Sequence, residues 1–207
     1  MKTWRNIMSF VSIFLDPNFL SIVSDGQETY GTENVGNNYQ KFFKLNSKLI
    51  VTGTGHKDVL DRMKLILLQN QIVDNISAKE VSEKLKEAVF KSLEGVVDNE
   101  GNKVNSVLAV CGVNENNNIF FSGYKRSDDE LTETNYEIIS DADKKLVTLN
   151  PPDLSFNAQS AFQSLVNRGK PRTIKQIQKT QKDLQRMVAR TSVSVNNVSF
   201  EDKILKL

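Results

Sequence analysis

The chain has 207 residues, of which 39% are apolar and 25% charged, a composition that suits one globular domain with a buried core and excludes a disordered or fibrous chain. Lys and Arg number 27 against 25 Asp and Glu, so the net charge of +2 gives no reason of its own to expect a nucleic-acid partner. A lone cysteine, Cys111, excludes an internal disulfide framework and fits a reducing compartment.

The first fifteen residues imitate a secretory leader, with Lys2 and Arg5 ahead of an apolar run from Ile7 to Leu15. Ser9 and Ser12 interrupt that run, Asp16-Pro17 ends it, and no small-x-small cleavage site follows. It is also well short of the roughly 20 residues that span a bilayer. The expectation is a cytoplasmic protein without a membrane segment.

Phe10 to Leu15 and Phe19 to Val23 are β-branched and aromatic runs around Asp16-Pro17-Asn18, so a hairpin opens the fold. After Ser24-Asp25-Gly26-Gln27, the polar stretch from Tyr30 to Asn38 reads as a loop. Lys41 leads into a short strand from Phe42 to Leu45, and Lys48 to Thr52 forms another beyond the turn pair Asn46-Ser47. The two hairpins are expected side by side in one sheet.

Gly53-Thr54-Gly55 stands where that strand gives way to a helical pattern at His56-Lys57-Asp58-Val59-Leu60. Glycines at such a junction let backbone N–H groups face a neighbour, and an oxyanion hole is one use of them. A dinucleotide fingerprint needs a third glycine where Asp58 stands, and there is no Gly-Lys-Ser/Thr phosphate loop, so no nucleotide site or ATPase motif is expected. Val59, Leu60, Met63, Ile66 and Leu67 form the buried stripe of a first helix. A second starts at the capping box Ser77-Ala78-Lys79-Glu80 and carries Val81, Leu85, Ala88, Val89 and Leu93 on one face. His56 is the only histidine and reads as a helix-start residue; with no partner ligand, neither a metal nor another cofactor is expected.

A second sheet is expected from Val104 to Val113 and Ile119 to Lys125, with shorter pieces at Tyr136 to Ser140 and Leu146 to Leu149. Cys111 lies inside the apolar run Val107 to Val113 and reads as a structural thiol. Past Pro151-Pro152, helices at Asn157 to Asn167 and Thr173 to Arg190 precede strands at Ser192 to Val195 and Ser199 to Leu205. Lys175, Lys179, Lys182 and Arg186 form a basic stripe opposite Ile174, Ile177, Leu184 and Val188. No aromatic side chains interleave to stack bases, so the stripe reads as a solvated face or as a contact to an acidic patch such as Asp128-Asp129-Glu130 of another copy.

Taken together, Ser24-Asp25-Gly26-Gln27, then Asn38-Tyr39-Gln40-Lys41, then Leu49 to Gly55 resemble the β-subunits of the proteasome family, most closely the bacterial heat-shock-locus V peptidase. The resemblance runs along nearly the whole chain. It implies an α+β fold of the N-terminal-nucleophile hydrolase type, a four-layer αββα sandwich, over residues 9–207, with 1–8 as an extension or propeptide. It implies Ser9 as nucleophile, Asp25 as the carboxylate that orients Lys41, Lys41 as the group that lowers the nucleophile's proton affinity, and Gly53 as the oxyanion N–H. Thr29 and Gly31 would border a peptide or protein substrate, although a solvated loop accounts for them equally well. The implied partners are further copies in a ring and a separate ATPase unfoldase.

A serine hydroxyl needs an adjacent base, here the α-amine of the same residue, with an ordinary pKa near ~8. Met8 directly precedes Ser9, so a start at Met8 followed by methionine removal would expose that amine, and self-cleavage is the other route. Alternatively Ser9 is only the first residue of an edge strand. Two supports of the family pattern are missing: Thr148 to Asp153 replaces a serine- and glycine-rich turn, and Ala189-Arg190-Thr191-Ser192 lacks an acid. Ser155, Thr191 and Ser194 are the hydroxyls that could substitute. Two functions therefore stand open, a peptidase and a non-catalytic relative that serves binding or assembly.

Overall fold

The computed structural model describes residues 9–30, 33–55, 57–69, 76–92, 106–127, 130–151 and 153–206. Within them the fold is mixed α+β, with two antiparallel sheets and four α-helices. The expected extension 1–8, Gly31, His56, Leu93 and the acids Asp128 and Asp129 fall outside the described residues.

The opening hairpin is β1 (Val11–Asp16) and β2 (Phe19–Asp25). Its turn forms because the Asp16 carboxylate accepts the Asn18 N–H at 3.0 Å, an Asx turn closed by the residue type that favours it. A two-stranded ribbon of β3 (Glu28–Tyr30) and β4 (Glu33–Gly36) follows, in what reads from sequence as plain loop. The second hairpin is β5 (Phe42–Lys44) and β6 (Leu49–Thr54), and Asn46 Oδ1 closes its turn by accepting the N–H groups of Lys48 and Leu49, each at 2.9 Å.

The two hairpins do not share a sheet. β6 pairs with β7 (Ser106–Val113), which continues through β8 (Ile119–Ser127) to β9 (Glu130–Ile138), giving the order β5-β6-β7-β8-β9. β1 and β2 lie between β10 (Lys145–Leu149) and the last strand, β11 (Ser199–Leu205), giving β10-β1-β2-β11. A short 3-10 turn at Asp141–Asp143 carries the chain from β9 in one sheet to β10 in the other. Every residue of β2 but the first, every residue of β6 and every residue of β7 is buried, as befits strands covered on both faces.

Each sheet carries helices on one face. Leu60, Met63 and Leu67 of α1 (Lys57–Gln69) and Val81, Leu85 and Val89 of α2 (Ala78–Ser92) pack on Val51, Leu108, Val110 and Phe120. Ile66, expected in the α1 stripe, is instead 46% exposed. The capping box starts α2 as expected: the Glu80 N–H donates to Ser77 Oγ at 3.1 Å and the Ser77 N–H to the Glu80 carboxylate at 3.0 Å, worth about 1 kcal/mol. Phe162 of α3 (Ala158–Gly169) and Leu184 and Val188 of α4 (Ile174–Ala189) pack with Phe10. A third apolar cluster joins Val11, Ile13, Leu20 and Ile22 to Ile50, Ala109, Cys111 and Phe121, so the faces turned away from the helices are packed together.

The strand expected at Ser192 to Val195 is a turn. Its serines are taken up by side-chain hydrogen bonds, which compete with a ladder: Ser192 Oγ bonds to Asp153 Oδ1 at 2.8 Å and accepts the Ser194 N–H at 3.3 Å.

Candidate active site

Asp25 ends β2 next to the start of β1, fully buried. Its Oδ1 accepts the Phe10 N–H at 2.8 Å, its Oδ2 accepts the Gln27 N–H at 2.9 Å, and its own N–H donates to the Phe10 carbonyl at 3.1 Å. The residue after Ser9 is therefore tied to Asp25 in both directions. Gly26 has no room for a side chain: a Cβ there would stand 2.5 Å from the Asn37 carbonyl oxygen and 2.8 Å from Val198. Its N–H donates to Asn196 Oδ1 at 3.1 Å. Gln27 extends its amide to the Val193 carbonyl at 2.8 Å.

Lys41 stands just before β5 and is 2% exposed. Its Nζ lies 3.4 Å from Asp25 Oδ2, donates to the Gln27 carbonyl, and sits 5.6 Å from the centre of the Tyr39 ring. Three kinds of negative potential thus surround one ammonium: a carboxylate, a carbonyl and a π face. The Lys41 carbonyl is fixed in turn, accepting the Thr52 hydroxyl at 2.8 Å and the Gly53 N–H at 3.1 Å.

That last bond bears on the oxyanion role. The register of β5 with β6 sets Lys41 opposite Gly53, so the Gly53 N–H is engaged in the ladder instead of pointing into open space. Gly53 is a glycine for packing, since a Cβ would stand 2.7 Å from Leu108 and 2.9 Å from the Val107 carbonyl oxygen.

Burial dominates the electrostatics of the pair. It raises the Asp25 carboxyl above its ordinary value, against the pull of Lys41 and the two backbone N–H groups. Burial likewise lowers Lys41 below its ordinary value, against Asp25. The Cys111 thiol is raised by burial alone, its sulfur directed at the Ile50 carbonyl, and remains the structural thiol that its apolar run suggested.

Four buried polar atoms have no hydrogen-bond partner among the described residues: Ser24 Oγ, Thr54 Oγ1, Thr148 Oγ1 and Asn150 Oδ1. Ser24 and Thr54 flank Asp25 and Gly53 in sequence. Val11 pairs with both Ser24 and Leu149, which places all but Thr54 around the start of β1.

Ser9 itself is buried at the entry to β1. The structure brings Asp25, Lys41 and Gly53 together and ties them to Phe10. Thr29 falls in the β3–β4 ribbon. Ser155 is exposed, and the Thr191 hydroxyl bonds back to the Val188 carbonyl at the end of α4. Of the basic stripe, Lys182 pairs with Glu201 at 2.8 Å and Arg186 with Asp183 at 2.8 Å, contacts within the chain.

An acid that sequence reasoning passed over braces the turn at 192–194. Asp153, from the loop before α3, accepts Ser192 Oγ at 2.8 Å and the Val193 N–H at 3.2 Å, and Ser192 Oγ lies 2.9 Å from Ser194 Oγ. Because the Val193 carbonyl holds Gln27, the bonds run from Asp153 through that turn to the Gln27 backbone between Asp25 and Lys41. Gln185 of α4 anchors the next stretch, donating to the Asn196 and Val198 carbonyls at 2.9 and 2.8 Å. The signal for it was present: Ile177, Gln181, Leu184, Gln185 and Val188 follow one helical stripe, with two amides set among apolar residues.

Among the described residues no group of His, Cys, Asp and Glu could hold a metal ion, and no helix is long and apolar enough to cross a membrane. No family model matches the chain, and no curated protein matches it in sequence.

Proposed function

We propose that this chain is a peptidase of the proteasome β-subunit type, with Ser9 as its N-terminal nucleophile once the Ser9 amine is free. The observation that carries the reading is the buried Lys41–Asp25 pair, 3.4 Å apart and bonded through Asp25 to the residue next to Ser9. A buried ion pair is poor economy for stability alone, since apolar replacements are often as stable. A buried lysine with a lowered proton affinity is a group that can help activate a nucleophile, and Lys41 is linked through Asp25 to the residue after Ser9.

In this mechanism the Ser9 amine takes the hydroxyl proton as Oγ attacks the peptide carbonyl. The amine then passes that proton to the departing nitrogen as the C–N bond breaks, and water hydrolyses the ester left on Oγ. Lys41 supports the first transfer by its charge and Asp25 holds Lys41 in place. On this reading the two sheets and their outer helices form the four-layer αββα sandwich of the N-terminal-nucleophile hydrolases. The chain works in the cytoplasm, in a ring of its own copies, with a separate ATPase to unfold protein substrates.

A second reading is favoured by the engaged Gly53 N–H. Without an open donor at that position, the chain would keep the fold and serve binding or assembly. Intact mass and N-terminal sequencing of protein made without a tag separate the two. A chain beginning at Ser9 that hydrolyses a fluorogenic peptide, with the activity gone in Ser9→Ala, supports the peptidase. A chain that keeps residues 1–8 through long incubation and cleaves nothing overturns it.

A further inference from the structure

Residues 154–199 hold eight Lys and Arg side chains and a single acid, Asp183; the whole chain holds 27 against 25, so everything outside this stretch carries 19 against 24. Folding turns that segregation into a face. The buried stripe of α4 packs on the sheet that holds β1 and β2, and Lys175, Lys179, Lys182, Arg186 and Arg190 follow one another on the opposite side of the helix, over about 22 Å at about 1.5 Å per residue. Lys182 and Arg186 are held by Glu201 and Asp183, whereas Lys175, Lys179 and Arg190 are exposed and have no acid partner among the described residues. The stretch from Arg168 to Arg172, which joins α3 to α4, adds three more exposed cations. The exposed side of α3 is neutral and polar, with Gln159, Ser160, Gln163, Ser164 and Asn167. Among the described residues of the two helices, Met187 is the one large apolar side chain that is exposed. The helices on the other sheet show no such segregation, since residues 57–92 set seven basic side chains against six acids.

We propose that the α3–α4 face binds double-stranded nucleic acid through its phosphate backbone, without reading the bases. Each strand of a duplex carries a phosphate about every 3.4 Å, so the stripe spans about six of them. Lys and Arg together with Ser, Asn and Gln are the side chains that contact phosphate oxygens. Other anionic partners fit less well. A single strand is held by stacking on aromatic rings, and among the described residues no aromatic side chain is exposed on α3 or α4. A membrane-surface helix turns bulky apolar residues to the lipid, whereas the apolar side of α4 is packed against the sheet. An acidic protein segment is anchored by desolvated aromatic or apolar contacts, and Met187 is isolated. The small net charge hides the face because acids elsewhere cancel it, but with a Debye length of about 8 Å a ligand at the face meets the local charge. Duplex binding here does not depend on the peptidase reading.

The test is fluorescence anisotropy of a labelled two-turn DNA duplex of mixed sequence, titrated with the full chain between about 50 and 200 mM salt. Micromolar binding is expected, with the logarithm of the association constant falling against the logarithm of salt at a slope of about −4, from about −0.9 for each of roughly four phosphates neutralised. Lys175→Gln with Lys179→Gln, both at exposed positions, should keep the urea midpoint, weaken binding about tenfold and bring the slope to about −2. Arg190→Gln, at the far end of the stripe, should weaken binding about threefold and lower the slope by about one. Lys79→Gln with Lys86→Gln, on α2, should change neither quantity. An RNA duplex should bind comparably, because the contacts are to phosphates. No binding at the lowest salt, an equal loss in the α2 pair, or oligo(dT) bound more tightly than the duplex overturns the proposal, as does adsorption to phosphatidylserine vesicles without binding of the duplex.

Discussion

Two sets of buried polar groups lie around the start of β1 and meet opposite fates. Asp25 and Lys41 are fully engaged: the carboxylate takes two backbone N–H groups and the ammonium, while the ammonium also takes a carbonyl and an aromatic face. Thr148 and Asn150, one strand away on the far side of β1, hold polar atoms with no partner among the described residues. The difference separates a centre whose polar groups are matched from one that leaves two buried oxygen atoms unmatched among the described residues. The first loses stability when a member is removed, and the second loses little when one of its unmatched atoms is replaced by an apolar group.

The largest break comes at Asp25. Asp25→Ala strips the partner from a buried ammonium and leaves the Phe10 and Gln27 N–H groups unpaired, so urea denaturation should show a loss of about 3–5 kcal/mol. Lys41→Met should cost less, because the remaining carboxyl is already raised and can take a proton.

The pH dependence of stability sharpens the same point, with opposite signs for the two partners. Lys41 is held below its ordinary 10.5. Between the lowered value and 10.5 the unfolded chain binds a proton that the folded chain does not, so stability rises with pH across that window. Asp25 is held above 3.8, so between 3.8 and its raised value the folded chain binds the extra proton and stability falls as pH rises. Denaturation at a series of pH values should lose the alkaline rise in Lys41→Met. Retention of the full rise in that variant would show that Lys41 is not the group responsible.

A smaller effect is expected at Asp153, whose carboxylate braces the 192–194 turn. Asp153→Asn weakens two charge-assisted bonds and should cost about 1–2 kcal/mol. Since that turn holds Gln27, the variant should also let water reach Lys41 and raise its proton affinity. Competitive acylation of the lysine amines against pH, read by mass spectrometry, reports that change, which a merely local loosening would leave untouched.

Asp153 also shows where the sequence stops being legible. Local chemistry could be read directly: the Asp16 turn, the Ser77 and Glu80 box, the buried Cys111, and the grouping of Asp25, Lys41 and Gly53 in one constellation. What could not be read are the choices made at a distance. The two hairpins sit in different sheets because β6 pairs with β7, more than fifty residues on, and periodicity carries no partner's name. Ser192 to Val195 alternates like a strand, yet an acid 39 residues upstream turns it into a loop. The Gly53 N–H follows strand register, which no motif encodes.

The smallest predicted change is at Thr148, and it runs the other way. Thr148→Val replaces an unpartnered hydroxyl by a methyl of nearly the same shape, removing a desolvated polar atom and adding apolar contact. The expected result is a gain of up to about 1 kcal/mol in urea denaturation. At Asp25 the same kind of replacement would lower stability, because every polar atom there is already in use. If Thr148→Val proves destabilising, its hydroxyl has a partner within the folded chain, and the contrast between a matched centre and an unmatched one is lost at that residue.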